Sequence, residues 1–281
     1  MTVKSYSSPY VSTDAGALAG AIVLRPSTAV DRLAPIKGEP SPIAERAQEQ
    51  HAILVATMRD HGVTVTELEP ATETAAESLI GDCAIVLPQG AVITRPSQPE
   101  RRTETARVEK QLAELGIPIV GRIEAPGLLD AMDVAIAPNR IFVGVSRGNG
   151  QRPRSNELGR KQLEAIAAGL GFTVVELPVA PDALRLRSVF SVVANDTVIA
   201  APEKVDLTAL GGMNVVAVPR GEEYAAGVLA LGEGRVIANL RFRESIAMMR
   251  KAKIAVESID LWEFGKAGFG PYALVVPVKR G

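Results

Sequence analysis

Short apolar runs come in pairs along most of this chain, and each pair is followed by a helical pattern and a further apolar run. The stretch 83–94 shows this arrangement first, as two runs around a Pro-Gln-Gly turn that is typical of a β-hairpin. Val108 and Leu112 then recur at helical spacing, and the run 117–120 predicts another strand. The pattern therefore predicts a hairpin, a helix and a strand, in that order.

The same hairpin-helix-strand order recurs along the rest of the chain. We predict units at approximately 82–120, 128–178, 186–218 and 227–259, and a fifth unit that joins 272–278 to 20–69. Repeats of one supersecondary unit stack because none of them buries its apolar face alone. A ring that joins the first strand to the last also removes exposed sheet edges.

These repeats predict an α/β fold, a five-bladed α/β propeller with pseudo-five-fold ββαβ repeats around a central cavity. We expect a single domain over residues 1–281, with the N- and C-terminal strands in the same blade. An open parallel sheet is the alternative, but that fold shows single strands between helices instead of hairpins. The central cavity would be lined by residues at strand ends.

The composition argues against several kinds of site and partner. With 281 residues, of which 47% are hydrophobic, the chain can bury a core without a disulfide or a metal. The net charge of −1 gives no reason to expect a nucleic acid partner. Cys83 is the single cysteine, and His51 and His61 both fall in the first predicted helix. We therefore expect no disulfide, no metal and no cofactor.

The hydropathy pattern also limits where the protein acts. No apolar run reaches the roughly 18 residues that a transmembrane helix needs, and the N-terminal residues lack the apolar core of a signal peptide. We expect a cytoplasmic protein that binds a small-molecule substrate and has no membrane partner. A homo-oligomer is expected only because symmetric association is common among soluble proteins.

Two carboxylates lie where a loop enters the second predicted hairpin. Asp130 and Asp133 suit this position because Asp is depleted within strands and favoured at their edges and turns. Either residue alone is best explained as holding the turn through backbone N–H groups. A carboxylate at the mouth of a strand can also face a cleft, and a five-bladed ring would place Asp130 at the central cavity.

Several short motifs carry a resemblance to a known family. Its members are similar to this chain at Gln50-His51, Asp82-Cys-Ala-Ile-Val, Ile93-Thr-Arg-Pro96, Arg101-Arg-Thr-Glu104, Glu124-Ala-Pro-Gly127, Leu129-Asp-Ala-Met-Asp-Val134, Leu184-Arg-Leu-Arg-Ser188 and Glu263-Phe-Gly-Lys-Ala267. In order and spacing these motifs resemble the pentein, or guanidino-group-modifying, superfamily, and in particular the dimethylarginine dimethylaminohydrolases. The resemblance implies a propeller of five ββαβ blades, which agrees with the repeats.

The resemblance also implies which of the family's catalytic groups this chain lacks. The family uses a Cys thiolate as the nucleophile, a His to protonate the leaving amine and activate water, and an acid. The acid position is Asp130 and the following acid is Asp133, but the His position is Arg185. The Cys position falls on Ala273, or on Tyr272 with an offset of one residue. Because an isolated buried charge is costly, we expect Arg185 to lie near an acid of the site, Asp82 or Asp130.

The predicted substrate-binding positions differ from those of the family as well. Of the acids that hold the cationic substrate there, Asp82 remains, while the other two positions are Ala76 and Gly81. With fewer acids and an added Arg185, the site is less hospitable to a guanidinium cation. Two arginines resemble the family's anion clamp, and the full predicted binding set is Asp82, Arg101, Arg147, Met132 and Ala273.

Three functions follow from these residues. The first is a hydrolase in which Asp130, as general base, directs water onto a planar carbon bonded to nitrogens, with Arg185 stabilising developing negative charge. The 2-nitroimidazole nitrohydrolases of the superfamily fit this site, because carbon 2 of a neutral nitroimidazole is planar and nitrite leaves unprotonated. The second is an inactive pentein that binds a ligand or partner. The third is a guanidino or amidino hydrolase of the dimethylarginine dimethylaminohydrolase type, for which the chain lacks the thiol and imidazole.

Overall fold

The computed structural model describes residues 5–71, 74–146, 154–232 and 234–281. The strands are β1 (Leu18–Leu24), β2 (Thr64–Leu68), β3 (Ala84–Leu87), β4 (Gly90–Ile93), β5 (Ile119–Arg122), β6 (Val134–Ala137), β7 (Arg140–Ser146), β8 (Thr173–Val179), β9 (Phe190–Ala194), β10 (Thr197–Ala200), β11 (Asn214–Ala217), β12 (Leu229–Gly232), β13 (Arg235–Asn239), β14 (Ala255–Ile259) and β15 (Val275–Arg280). The α-helices are α1 (Ala44–Asp60), α2 (Arg102–Glu114), α3 (Glu157–Gly169), α4 (Leu186–Val189), α5 (Arg243–Lys251) and α6 (Trp262–Gly265).

The strands form five three-stranded sheets in the described part of the chain. In the sheet β3-β4-β5, for example, β4 pairs antiparallel with β3 and parallel with β5. A two-residue turn can join an antiparallel pair, whereas a parallel pair needs a crossover, and α2 supplies it here. This confirms the hairpin-helix-strand order predicted from the apolar runs.

The chain ends meet in one of these sheets. β1 pairs antiparallel with β15 and parallel with β2, so β15 takes the place that a hairpin's first strand takes elsewhere. The N- and C-terminal strands therefore share a sheet, as predicted from the unpaired strand, helix and strand at the start of the chain.

The first strand of each sheet lies deepest in the molecule. All residues of β3, β6 and β12 are buried, whereas β5 and β11 are partly exposed. The buried strands also contact one another between sheets, since β15 contacts β3, and β9 contacts both β6 and β12. The five sheets are thus arranged around a common centre.

Short turns bring polar residues to the starts of these inner strands. The 3₁₀ turns Ile80–Asp82 and Ala131–Asp133 immediately precede β3 and β6, and they contact each other. The helix α4 precedes β9 in the same way, and Arg185 is its N-cap. Because the inner strands occupy equivalent places in their sheets, the residues just before them gather at one end of the centre.

The last strand differs from its prediction. β15 begins at Val275 and not at Tyr272, because Pro271–Leu274 forms a 3₁₀ turn. Proline suits the first position of such a turn, since its φ is fixed near the helical value and its missing N–H has no partner there. Ala273 therefore lies in a turn before the strand and not within it.

No helix of the described residues is both long enough and apolar enough to span a bilayer.

The start of α3 packs directly on the chain that leads to Asp130. Asn156 caps this helix, and its Oδ1 accepts hydrogen bonds from Gly159 N at 2.8 Å and Leu128 N at 2.9 Å. A Cβ atom on Gly159 would overlap the carbonyl group of Leu128. Glycine is therefore required here by a close backbone approach that positions the residues before Asp130.

We predict that Gly159→Ala lowers the free energy of unfolding by about 1–3 kcal/mol, the usual cost of forcing an extra group into packed structure. Gly169→Ala in the same helix is the matched control, because no atom lies within 4 Å of its added Cβ. The control should be neutral or more stable by up to about 1 kcal/mol, since Ala favours helix. Urea unfolding measures both; equal effects would contradict the close approach.

Candidate active site

Asp82 and Arg101 form a buried ion pair within a cluster of charged residues. The Asp82 side chain is fully buried, and Nη1 of Arg101 donates a hydrogen bond to its Oδ2. Met132 N donates to the other oxygen, Oδ1, at 3.3 Å. Burial opposes the ionisation of Asp82, but the guanidinium groups of Arg185 and Arg101 hold its pKa below the usual range. Asp82 is therefore a carboxylate anion.

The donors of Arg101 face acceptors within the protein. Its Nε and Nη2 donate to Glu104 Oε2 at 3.0 and 2.9 Å, and Nη2 also donates to the carbonyl oxygen of Leu79 at 2.8 Å. Burial works against the charge, but Asp82 and Glu104 raise the pKa of Arg101 overall. Arg101 holds Asp82 in place, and the contact with a substrate that the sequence suggested for it stays a prediction.

Arg185 lies between two carboxylates, as expected for a buried cation. Its Nη2 is 2.8 Å from Oδ2 of Asp130 and 3.7 Å from Oδ2 of Asp82, and the residue is only 3% exposed. Its Nη1 donates to the carbonyl oxygen of Leu184 at 3.0 Å. Burial disfavours the charged form, but Asp82 and Asp130 raise the pKa of Arg185, so it stays cationic. The predicted pairing of Arg185 is thus confirmed.

Asp130 has a buried carboxyl group whose pKa lies near neutrality. Its Oδ1 accepts a hydrogen bond from Ser97 N at 3.2 Å, and its Oδ2 faces Arg185. Burial raises the pKa of Asp130 to about 7; Arg185 opposes the rise, and the neighbouring charges of Asp82 and Asp133 add to it. Asp130 can therefore take up and release a proton near pH 7.

Asp133 links its own loop to the loops that carry Ser155 and Leu186. Its Oδ2 accepts a hydrogen bond from Ser155 Oγ at 2.6 Å, and its Oδ1 accepts one from Leu186 N at 3.2 Å. Ser155 Oγ in turn accepts from Asp130 N at 3.2 Å. Burial raises the pKa of Asp133, while Arg185 and Ser155 oppose the rise. Asp133 therefore fixes Leu186 and, through it, the neighbouring Arg185. Its backbone partner lies in another loop, so it links loops instead of holding its own turn.

Arg154 is a member of the cluster that the sequence did not reveal. It is half-buried, and its pKa is lowered first by burial and next by repulsion from Arg185. Asp130, Asp82 and Asp133 act in the opposite direction, so the residue lies within electrostatic range of the whole cluster. Arg154 precedes α3 in a loop of no regular pattern, so no signal in the sequence pointed to it.

The remaining predicted residues fall into two groups. Met132 and Ala273 are both buried in the same apolar cluster, on the side of the centre that also holds Tyr272. The carbonyl oxygen of Ala273 would lie 3.0 Å from a Cβ on Gly81, next to Asp82. Their contact with a substrate stays a prediction, and Arg147 lies outside the described residues.

Cys83 has the properties of a core residue and not of a nucleophile. It follows Asp82 directly and is fully buried in the apolar core. Burial raises the pKa of its thiol far above the usual range, with a smaller opposing effect from Arg101. A thiol reacts as the thiolate, so this side chain is inert near neutral pH.

Comparison with known proteins identifies the family. The dimethylarginine dimethylaminohydrolase of Streptomyces coelicolor is 32% identical over 220 residues, which cover 78% of this chain and 81% of that protein. The chain therefore belongs to the dimethylarginine dimethylaminohydrolase family of the pentein, or guanidino-group-modifying, superfamily, as its motifs predicted. No protein-family model matches the chain.

Solved structures show the same fold. One is a mutant of the dimethylarginine dimethylaminohydrolase of Pseudomonas aeruginosa in complex with citrulline. It superposes with a TM-score of 0.83 at 23% identity, and the match covers 92% of this chain and 99% of that one. The amidinotransferase SxtG of Microseira wollei, from a saxitoxin biosynthetic pathway, gives 0.80 at 15% identity over 97% of each chain. These likenesses confirm the predicted pentein fold, and family membership supports the predicted hydrolase class.

We predict that thiol reagents leave the folded protein unmodified, because Cys83 is buried and protonated. Mass spectrometry after treatment with iodoacetamide should show no adduct on the native chain and one adduct after unfolding in urea. Rapid alkylation of the native chain at neutral pH would contradict this description of Cys83.

Proposed function

We propose that this chain is a hydrolase that breaks a bond to a planar carbon bonded to nitrogens, with water activated by Asp130 in place of a cysteine nucleophile. The single observation that carries the proposal is the state of Asp130: a buried carboxyl group with a pKa of about 7, beside a fixed guanidinium. A general base works best when its pKa lies near the working pH. The family supports the type of carbon attacked, since its named members act on the planar carbon of a guanidino compound.

Water must be the nucleophile in this mechanism. The chain has a single cysteine, Cys83, whose thiol is buried in the apolar core, and Ala273 has no nucleophilic group. Water bonds to the planar carbon while Asp130 accepts one of its protons, and the tetrahedral centre then expels the leaving group. Arg185 would stabilise the negative charge that develops during this step, because a buried cation acts strongly where solvent is excluded.

The leaving group defines the finer proposal. An amine would leave from a guanidine or amidine, which is the chemistry named for the relatives, but it needs a proton that Asp130 would return after accepting it from water. Nitrite would leave from 2-nitroimidazole without a proton. The absence of histidine outside His51 and His61, both near the first helix, favours a leaving group of the second kind.

A ligand-binding protein without catalysis is the alternative. It is favoured by the replacement of two catalytic positions of the family by Arg185 and Ala273. In that case the buried charges would recognise a ligand, and the proton affinity of Asp130 would have no catalytic use.

A product screen separates these functions. The purified chain is incubated with guanidines, amidines and 2-nitroimidazole, and ammonia, alkylamines and nitrite are assayed. Release of any product above a heat-denatured control supports the hydrolase, and the identity of the product gives the leaving group. If ligands stabilise the chain against heat while no product forms from any of them, the binding function replaces the proposal.

We predict that Asp130→Asn lowers kcat by roughly 10²- to 10⁴-fold on the substrate found in the screen, the usual loss on removal of a general base. For the unaltered chain, kcat/KM should fall about tenfold per pH unit below pH about 7 and level off above it, because only ionised Asp130 accepts a proton. Stopped assays across pH measure both.

The matched control is Asp182→Asn, which removes an exposed carboxylate that pairs with Lys204. It should leave the rate and the pH profile unchanged. A rate that Asp130→Asn leaves within a factor of about two would rule out Asp130 as the base.

A further inference from the structure

The guanidinium group of Arg185 fills the space between the two acids of the cluster. Its Nη2 contacts Asp130 at 2.8 Å and lies 3.7 Å from Asp82. The three side chains come from loops before three different inner strands, so the arrangement is built by the fold and not by one local turn. All three are at most 3% exposed.

A pair of converging carboxylates is a binding place for a planar cation. Carboxylate oxygens match the donor fork of a guanidinium, and buried carboxylates require a positive partner. Here the protein provides that partner itself, at the end of a short segment that Asp133 holds through Leu186 N. The binding place is therefore already occupied by a side chain.

Two further cations lie near this place, together with the carboxyl groups of Asp133 and Glu104. Arg101 donates to the oxygen of Asp82 that also faces Arg185, and half-buried Arg154 lies within electrostatic range. An incoming cation would meet these charges in a place with little solvent to screen them. An uncharged ligand would meet no such repulsion.

We propose that Arg185 is a built-in substitute for a guanidinium ligand, so that the cluster rejects guanidinium cations and the substrate is an uncharged planar molecule that binds beside Arg185 and not in its place. The inference deepens the proposed function, on which it rests for the identity of the site. It separates this chain from the relatives whose named substrate, dimethylarginine, carries a guanidinium cation. The substrate class that follows is a neutral planar carbon bonded to nitrogens.

The test removes the guanidinium group of Arg185 by mutation and adds guanidinium ions in solution. Arg185→Ala leaves Asp82 and Asp130 facing a space of guanidinium size, and guanidinium chloride at millimolar concentration is the probe. Urea is the matched neutral probe, because it is planar and nearly the same size. Thermal unfolding at constant ionic strength, followed by calorimetric titration, gives the apparent Kd of each probe.

We expect guanidinium to stabilise Arg185→Ala in a saturable way and to bind it at least about tenfold more tightly than it binds the unaltered chain, a readily measured difference. Urea should show no such gain. The double variant Arg185→Ala/Asp82→Asn should lose the gain, since one carboxylate of the pair is then neutral.

Arg220→Ala is the control for loss of any arginine, because Arg220 is exposed and pairs with Glu203. It should show no saturable response to guanidinium. If Arg185→Ala does not fold, Arg185→Gln carries the same titration, because it also removes the charge and shortens the side chain.

Saturable binding of guanidinium to the unaltered chain, as tight as to the variant, would overturn the proposal, and so would a folded variant that does not bind guanidinium. These outcomes need no turnover, so they are distinct from those of the product screen. If guanidinium binds to Arg185→Ala but the product screen detects no product, the proposed hydrolase function is wrong, whereas the proposed role of Arg185 is supported.

Discussion

The buried ion pair of Arg185 with Asp130 and Asp82 is the interaction on which the rest of this structure depends. A charge removed from water is costly unless opposite charge and hydrogen bonds surround it. Here Arg185 and its two partners come from the starts of inner strands in three different sheets. The charges are therefore satisfied only when these sheets are arranged around their common centre, which couples the fold to the site.

The same cluster supports the chemistry proposed for the protein. Burial raises the pKa of Asp130 to about 7 although a cation lies beside it, which is the property that the proposed general base requires near neutral pH. Relatives in the family are hydrolases, but in this chain the single cysteine, Cys83, is buried in the core, and His51 and His61 are the only histidines. The proposed activation of water, and a substrate without positive charge, rest on the residues that remain.

The sequence predicted those features that arise from local pattern or from charge balance. Hairpins and helices follow from apolar spacing, and the pairing of Arg185 follows from the cost of an isolated buried charge. The sequence left open which acid Arg185 would face more closely, because that depends on distances between sheets. It did not predict Arg154, or the Ser155 bridge from Asp130 to Asp133, because loops carry no periodicity. Nor did it predict the turn at Ala273, where Pro271 at the first position favours a 3₁₀ turn over the strand that the apolar residues predict.

The most direct test of the central ion pair is a double-mutant cycle on Arg185→Met and Asp130→Asn. The free energies of unfolding of the unaltered chain, both single variants and the double variant are measured in urea at about pH 8, where Asp130 is ionised. A buried pair at 2.8 Å predicts a coupling energy above about 1.5 kcal/mol, because each single variant leaves one buried charge with a weakened partner. Effects that add to within about 0.5 kcal/mol would show that the two residues do not interact, and would contradict the account.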